Sequence, residues 1–113
     1  MNSVSSIALS SMSVANARLT RSAENVANVN TDGFRAQRTV AREARSGGVT
    51  SVAEPTYAPA ATFERSAEEV LRSDTDLVSE TVEQLGAMQQ FKASIALLKT
   101  DQEMQKSLLD INA

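Results

Sequence analysis

Three carboxylates near the middle of the chain have the residue type and the spacing from which a hard cation could be bound. Asp74, Asp76 and Glu80 lie within seven residues, and carboxylate oxygens are the ligands that Ca²⁺ and Mg²⁺ take from proteins. Their spacing does not match the ligand positions of an EF-hand loop. The adjacent pair Glu68 and Glu69 is interpreted as surface charge. The sequence therefore predicts neither a metal site nor a carboxylate-based active site.

The groups that usually carry nucleophilic or acid–base catalysis are scarce in this sequence. It has no cysteine and no histidine, which removes thiol chemistry, Cys/His zinc sites and the common general base near neutral pH. The serines have no histidine or evident lysine to activate them. The adjacent glycines Gly47 and Gly48 lack the lysine of a nucleotide-binding loop. We therefore expect no catalytic residue, no bound cofactor and no enzymatic activity.

Charge is distributed unevenly along the chain. Residues 1–45 contain six arginines and three acidic residues, a net charge of +3, whereas residues 46–113 contain five basic and eleven acidic residues, a net charge of −6. The favoured interpretation is that the two parts attract each other, within one chain or between chains. A nucleic-acid-binding arm is the alternative. It is disfavoured because the basic part lacks lysine clusters and interleaved aromatic residues, so we expect no nucleic-acid partner.

Apolar residues are numerous but are not gathered into one run. The composition is 42% hydrophobic and only 4% aromatic, which suits close packing between helices better than a thick core. No apolar run reaches the roughly 18 residues of a bilayer-spanning helix, so we expect no membrane insertion. Residues 1–20 have neither the basic nor the apolar region of a signal peptide, so no cleaved signal is predicted.

A first long helix is predicted over residues 3–28. Small and branched apolar residues recur there at steps near three, four and seven, and the stretch contains neither glycine nor proline. It ends in a turn at residues 28–33, where Asn and Asp compete with helical hydrogen bonds and glycine accepts a left-handed conformation. Residues 1–33 form the first predicted unit.

Residues 34–73 are predicted to be an irregular linker. They contain Gly47, Gly48, Pro55 and Pro59 among Ser, Thr and Ala, a composition typical of loops. A short strand near residues 49–52 is an alternative, as is a short helix or an extended chain over residues 34–45.

A second and longer helix is predicted within residues 74–113, with Asp74 or Thr75 as its N-cap and Asn112 near its end. Side chains follow one another in steps of three and four, as in a heptad seam, and a second apolar stripe runs beside the seam. The seam residues are Leu77, Thr81, Leu85, Met88, Phe91, Ile95, Leu98, Gln102, Gln105 and Leu109, and the stripe residues are Leu97, Met104, Leu108 and Ile111.

The predicted fold class is all-α, with two long terminal helices in a coiled-coil-like pair joined by the irregular Gly/Pro/Ser-containing segment. From the seam alone, a monomeric helical hairpin and association with other chains are equal alternatives. Two helices in one hairpin cannot bury two stripes on the second helix, so the extra stripe requires a further partner.

Residues 23–34 read Ala-Glu-Asn-Val-Ala-Asn-Val-Asn-Thr-Asp-Gly-Phe. This stretch resembles the N-terminal signature of the flagellar axial proteins, the family of rod, hook and hook-associated proteins, which is Asn-Asn-Ile-Ala-Asn-x-Asn-Thr-x-Gly-Tyr/Phe. The matching residues are Asn25, Ala27, Asn28, Asn30, Thr31, Gly33 and Phe34. Residues 76–80, 99–104 and 108–111 are similar to the C-terminal signature of the same family.

The resemblance implies a structural subunit of the bacterial flagellar basal-body rod in the periplasm, exported by the flagellar type III apparatus without a cleaved signal peptide. The implied partners are other rod subunits, copies of the chain itself and the export apparatus. The alternative is a coiled-coil adaptor or export-related binding module that uses rod-like helices. Two roles stand as alternatives for Asn25, Asn28 and Asn30, namely capping of the helix end and contact with a neighbouring subunit. The residues predicted to form the assembly interface are Leu19, Asn25, Val26, Asn28, Asn30, Gly33, Phe34, Leu85, Met88, Phe91, Ile95, Leu98, Met104, Leu108 and Leu109.

Overall fold

The computed structural model describes residues 4–56 and 72–112. Along them the elements are helix α1 (Val4–Ala27), strand β1 (Gln37–Glu43), strand β2 (Val49–Pro55) and helix α2 (Leu77–Asn112). The body is elongated, with extents of 71 × 26 × 16 Å. Ser3, Glu68, Glu69 and the part of the predicted linker at residues 57–71 lie outside the described residues.

Helix α1 confirms the predicted first helix over its described part. Its 24 residues contain neither glycine nor proline, so nothing interrupts the hydrogen-bond ladder. At its end, Asn28 Nδ2 donates to Glu24 O at 2.8 Å, beside the main-chain bond from Asn28 N to the same carbonyl. Gly33 then takes a φ of +79°, the left-handed conformation that the predicted turn requires.

The prediction of an all-α fold is wrong, because the described chain also contains a two-stranded antiparallel sheet. Strand β1 pairs with β2 in a register that sets Val40 opposite Val52 and Arg38 opposite Glu54. Within the described residues the fold is therefore mixed, with two helices and one β-hairpin. The prediction of an irregular linker is wrong for both strands, and the alternative of a strand near residues 49–52 is confirmed and extended to Pro55.

The hairpin forms for reasons that are partly local and partly tertiary. The paired valines at its centre are β-branched, a residue type that favours pleated backbone. Gly47 and Gly48 turn the chain with positive φ angles of 92° and 79°. An isolated hairpin is only marginally stable in water, and α1 supplies the support, since Ser10 Oγ accepts a hydrogen bond from Val49 N at 3.1 Å. The sequence around the hairpin does not reveal this contact with α1.

Helices α1 and α2 pack antiparallel around a small interior. The buried apolar residues of the described chain are Ala8, Val14, Ala15, Ala36 and Ala87. Alanine permits a close approach of helices but removes little apolar area from water. Ser22, Asn25, Glu80 and Ser94 are buried beside them, so the interior is polar as well as small.

Helix α2 begins slightly later than predicted. Asp76 is its N-cap, because Asp76 Oδ1 accepts a hydrogen bond from Val78 N at 3.0 Å and Asp76 Oδ2 accepts one from Ser79 Oγ at 3.1 Å. Asp74 and Thr75, the two predicted caps, instead connect this part of the chain to the segment before β1 and to α1.

Helix α2 also extends past the first residues of α1. Ser5 Oγ donates to Asp101 near the beginning of α1, and residues 102–111 are all exposed. We call residues 102–111 the overhang; at about 1.5 Å per residue it is about 15 Å long. Neither helix, in the part of the chain that the structure describes, has an apolar stretch that could cross a membrane.

Candidate functional site

Asn25 is buried where α1, β1 and α2 meet. Its Nδ2 donates to Gln37 O at 2.7 Å and to Glu80 Oε1 at 2.9 Å, and its Oδ1 accepts from Gln37 N at 3.2 Å. Its own carbonyl accepts from Thr75 Oγ1 at 3.0 Å. The side-chain amide therefore binds the N–H and C=O of Gln37 as a neighbouring strand would. Asn25 is an internal connection between three elements rather than a helix cap.

The other residues of the asparagine motif lie nearer the surface. Asn28 bonds the last turn of α1, which is the role of a cap. Asn30 and Gly33 are exposed. Phe34 is half-buried, and its carbonyl accepts from Asp74 N at 3.3 Å. The motif thus divides into an interior amide, a capping amide and an exposed turn.

Arg18 crosses from α1 to α2 above Gly86. Its guanidinium pairs with Glu83, and Nη1 donates to Gln90 Oε1 at 2.6 Å. A Cβ at position 86 would lie 2.9 Å from Arg18 Nη2, so the missing side chain of Gly86 provides room for the guanidinium.

Further polar contacts between the helices lie on both sides of Arg18. Gln90 Nε2 donates to Ser11 O at 3.1 Å, and Ser94 Oγ lies 2.9 Å from Ser11 Oγ. Toward the other end, Ser22 Oγ donates to Glu80 O at 3.2 Å. Each such bond contributes only about 0.5–1.5 kcal/mol net. We call this contact the polar seam; its residues are Ser11, Arg18, Ser22, Glu80, Glu83, Gln90 and Ser94.

The apolar seam predicted on α2 lies beside the polar seam. It is not the surface through which α1 and α2 pack against each other. Leu85, Met88 and Ile95 are 57%, 46% and 42% exposed. Lys92 and Lys99 follow Met88 and Ile95 by four residues each, which places them on the same side of the helix. We call these five residues the lysine-flanked face. The remaining predicted interface residues Leu19, Val26, Phe91 and Leu98 are half-buried.

The second predicted stripe on α2 is also exposed. Leu97 is 45% exposed at the edge of a groove of about 380 Å³, which Ile7, Ala41 and Val49 also line. Met104, Leu108 and Ile111 continue the stripe along the overhang at steps of seven, four and three, and are 61%, 59% and 76% exposed. We call these four α2 residues the neutral stripe. Leu109 of the predicted interface is exposed beside it.

The outer face of the hairpin is held by charge. Arg42 Nη2 lies 2.6 Å from Glu54 Oε1, and Arg38 Nη2 lies 3.5 Å from Glu54 Oε2. The hydrogen bond from Arg42, with a further contribution from Arg38, lowers the pKa of Glu54 below its ordinary value. These pairs link β1 to β2 on the side away from α1.

The carboxylates considered as cation ligands have separate roles. Asp74 Oδ1 accepts from Ala36 N, Asp76 caps α2, and Glu80 accepts from Asn25. Among the described residues, no group of three or more acidic side chains is placed to hold a metal ion. The described surface instead exposes large apolar side chains along α2.

Sequence reasoning missed the partners that hold the helices together. Arg18 and Glu83 are 65 residues apart in the chain, so no local pattern pairs them. Asn25 contacts Gln37 through the main chain of Gln37, and a main-chain contact does not depend on which residue type stands there. Gly86 was a local sign of a bend or a close helix contact at this position of α2, but it does not identify the partner.

No protein-family model matches the chain, and no curated protein sequence matches it. The resemblance to flagellar axial proteins therefore stands on the two terminal motifs alone. The family and its function remain predictions.

Proposed function

We propose that this chain is a structural subunit of the flagellar basal-body rod, which assembles with neighbouring subunits through its two helices. In this proposal it is exported without a cleaved signal peptide and works in the periplasm. The observation that carries the proposal is the exposure of two apolar surfaces on α2, the lysine-flanked face and the neutral stripe, in a chain that also bears both terminal motifs.

The exposed apolar area on α2 is large for so small a protein. Eleven large apolar side chains of this helix are exposed: Leu77, Val78, Val82, Leu85, Met88, Ile95, Leu97, Met104, Leu108, Leu109 and Ile111. Covering a half-exposed side chain of this size is worth about 1 kcal/mol. The sum is on the order of 10 kcal/mol, comparable with the whole unfolding free energy of a small domain. An exposed surface of this kind is typical of a protein that binds other proteins.

The contact inside the chain supports the same proposal. The polar seam joins the helices by small and hydrogen-bonding side chains, so the larger apolar residues of α2 are left for neighbours. Asn25 meanwhile fixes the relative position of α1, β1 and α2. A subunit built in this way presents a defined outer surface while its own helices stay paired.

Purified basal bodies carrying an epitope-tagged chain test the proposal. We expect the tag to be retained along the rod, and the variant Leu85→Asp/Met88→Asp to be exported yet absent from the rod. Ser46→Asp/Thr50→Asp is the matched control, because it adds the same charge at two exposed polar residues of the hairpin rather than on α2. It should assemble normally.

The coiled-coil adaptor is the contrasting outcome of this experiment. A tagged chain that stays with the export apparatus and never enters purified rods would contradict the rod proposal and support the adaptor. Equal assembly of Leu85→Asp/Met88→Asp and the Ser46→Asp/Thr50→Asp control would also count against it, since the lysine-flanked face would then have no neighbour.

A further inference from the structure

We propose that the peptide bond between Asp32 and Gly33 is a site of spontaneous covalent modification, at which Asp32 converts to isoaspartate. The reaction joins two groups that the structure leaves unengaged, the carboxyl group of Asp32 and the main-chain nitrogen of Gly33. It needs neither a second protein nor a ligand, and it does not depend on the proposed assembly.

The chemistry balances within the chain and one molecule of water. Gly33 N forms a bond to Asp32 Cγ, and the side-chain hydroxyl leaves as water with the proton of that nitrogen. The product is a five-membered succinimide ring. Water then adds to one of its two carbonyl carbons. Breaking the bond from Gly33 N to Asp32 Cγ restores aspartate, whereas breaking the bond from Gly33 N to Asp32 C gives isoaspartate, whose main chain runs through Cβ.

Both reacting groups are accessible. Asp32 and Gly33 are exposed. Among the described residues, the Asp32 carboxylate makes no hydrogen bond or ion pair, and Gly33 N donates to no acceptor. A Cβ built on Gly33 would meet nothing within 4 Å, and Asp32 borders an open cleft of about 340 Å³. The ring therefore has room to form, and glycine has no side chain to shield the attacking nitrogen.

The turn that contains the two residues restrains them only weakly. Residues 31–34 form a β-turn closed by one main-chain hydrogen bond, from Phe34 N to Thr31 O at 3.2 Å. Ring closure requires rotation about the Asp32 Cα–C bond, which opens this turn. Because one such bond adds little net stability, opening the turn slows the reaction by about tenfold at most relative to an unstructured peptide.

The other four aspartates are held by their surroundings. Asp74, Asp76 and Asp101 accept hydrogen bonds, and Asp110 lies inside α2. None of them is followed by glycine. Asp76 is the sharpest contrast, because both of its carboxylate oxygens are bonded where it caps α2. The structure therefore assigns the reaction to Asp32.

Incubation of the purified chain at physiological temperature and neutral pH tests this inference. A synthetic peptide of residues 28–36 gives the rate without the fold. Chromatographic peptide mapping with mass spectrometry separates isoaspartate from aspartate, which has the same mass. We expect isoaspartate at position 32 to form at no less than about one tenth of the rate in the peptide.

The variant Leu77→Gly supplies a matched control in the same molecule. It puts a glycine after Asp76, so that the same dipeptide stands where the carboxylate is bonded. Leu77 is half exposed at the beginning of α2, and circular dichroism checks that the variant stays folded. Because two hydrogen bonds to a charged group must break first, isomerisation at Asp76 should be more than about tenfold slower than at Asp32.

Two results would overturn the inference. One is an Asp32 that stays unchanged in the folded chain while the peptide isomerises. The other is equal isomerisation at Asp32 and Asp76 in Leu77→Gly, since the contacts of the carboxylates would then not govern the reaction. Neither bears on the rod proposal, which depends on retention in basal bodies.

Discussion

The side-chain amide of Asn25 and the main chain of Gln37 form a two-point hydrogen-bonded pair. Asn25 Nδ2 lies 2.7 Å from Gln37 O, and Gln37 N lies 3.2 Å from Asn25 Oδ1. Through this pair, α1 occupies the beginning of the free edge of β1, an edge that would otherwise be open to another strand. The same amide reaches Glu80 on α2, so one residue fixes the position of the hairpin and of both helices.

Removing this amide should destabilise the chain measurably. Asn25→Ala leaves the main-chain groups of Gln37 and the carboxylate of Glu80 without their donor or acceptor, and a buried polar group left unpaired costs about 1–3 kcal/mol. Urea unfolding should show that loss. Asn30→Ala is the control, because Asn30 is exposed and should change stability by less than about 0.5 kcal/mol. Equal stability of both variants would mean that the Asn25 bonds are not needed.

Gly33 and Gly48, two of the three positive-φ glycines, should respond differently to alanine. Gly33 has open space around a built Cβ, so Gly33→Ala carries only the left-handed strain of about 1–2 kcal/mol. At Gly48 a Cβ would lie 2.5 Å from Ser10 Oγ, so Gly48→Ala should cost more. The excess should shrink in a Ser10→Ala background, where the nearest atom is Ser10 Cβ at 3.2 Å. Equal unfolding free energies for the two single variants would contradict the packing of the turn against α1.

Gly86 should show a coupling with Arg18. Glycine within a helix costs about 0.5–1 kcal/mol relative to alanine, but a Cβ at Gly86 would displace the Arg18 guanidinium. Gly86→Ala should therefore give little net gain in the native chain and a gain of about 1 kcal/mol in an Arg18→Ala background. A double-mutant cycle of unfolding free energies measures the difference. Strict additivity would show that Gly86 does not serve to accommodate Arg18.

The hairpin should lose stability in acid through Glu54. Its pKa is lowered in the folded chain by the hydrogen bond from Arg42 and by the further contribution of Arg38. The stabilisation is therefore fully present above the ordinary glutamate pKa and is lost as the pH falls through the lower folded-state value. An NMR titration of the Glu54 side chain should show a lowered midpoint that rises toward the ordinary value in Arg42→Gln. An identical midpoint in both chains would exclude this pairing in solution.

The helices were predictable because their signals are local. Each helix signal depends only on residues close to it in the sequence. These signals are the absence of glycine and proline from α1, the steps of three and four on α2, and the glycine that follows three asparagines at the end of α1. A strand near residues 49–52 and an extended chain over residues 34–45 were alternatives, but their pairing was not predicted, because the hairpin depends on contact with Ser10 of α1, which no window around residues 34–56 contains. Asp76 was missed as the cap because Asp74 and Thr75 have equally suitable side chains.

The apolar seam of α2 was predicted from the sequence, but the surface through which α1 and α2 meet was not. Periodicity selected Leu85, Met88 and Ile95 as part of an apolar seam, and from that seam a monomeric hairpin and association with other chains were equal alternatives. The helices instead meet through Ser22, Arg18 and their partners. Polar pairs far apart in the chain have no periodic signature, so their dominance in the α1–α2 contact could not be derived from spacing.

A reconstruction of the intact basal body with side-chain detail would show whether this chain lies in the rod and which subunits contact α2. We expect to find this chain in the rod, with Leu85, Met88 and Ile95 of α2 covered by neighbouring subunits and with Asn25 still bonded to Gln37 inside the chain. A rod that lacks the chain, or a chain in the rod whose lysine-flanked face and neutral stripe both face solvent, would contradict the rod proposal.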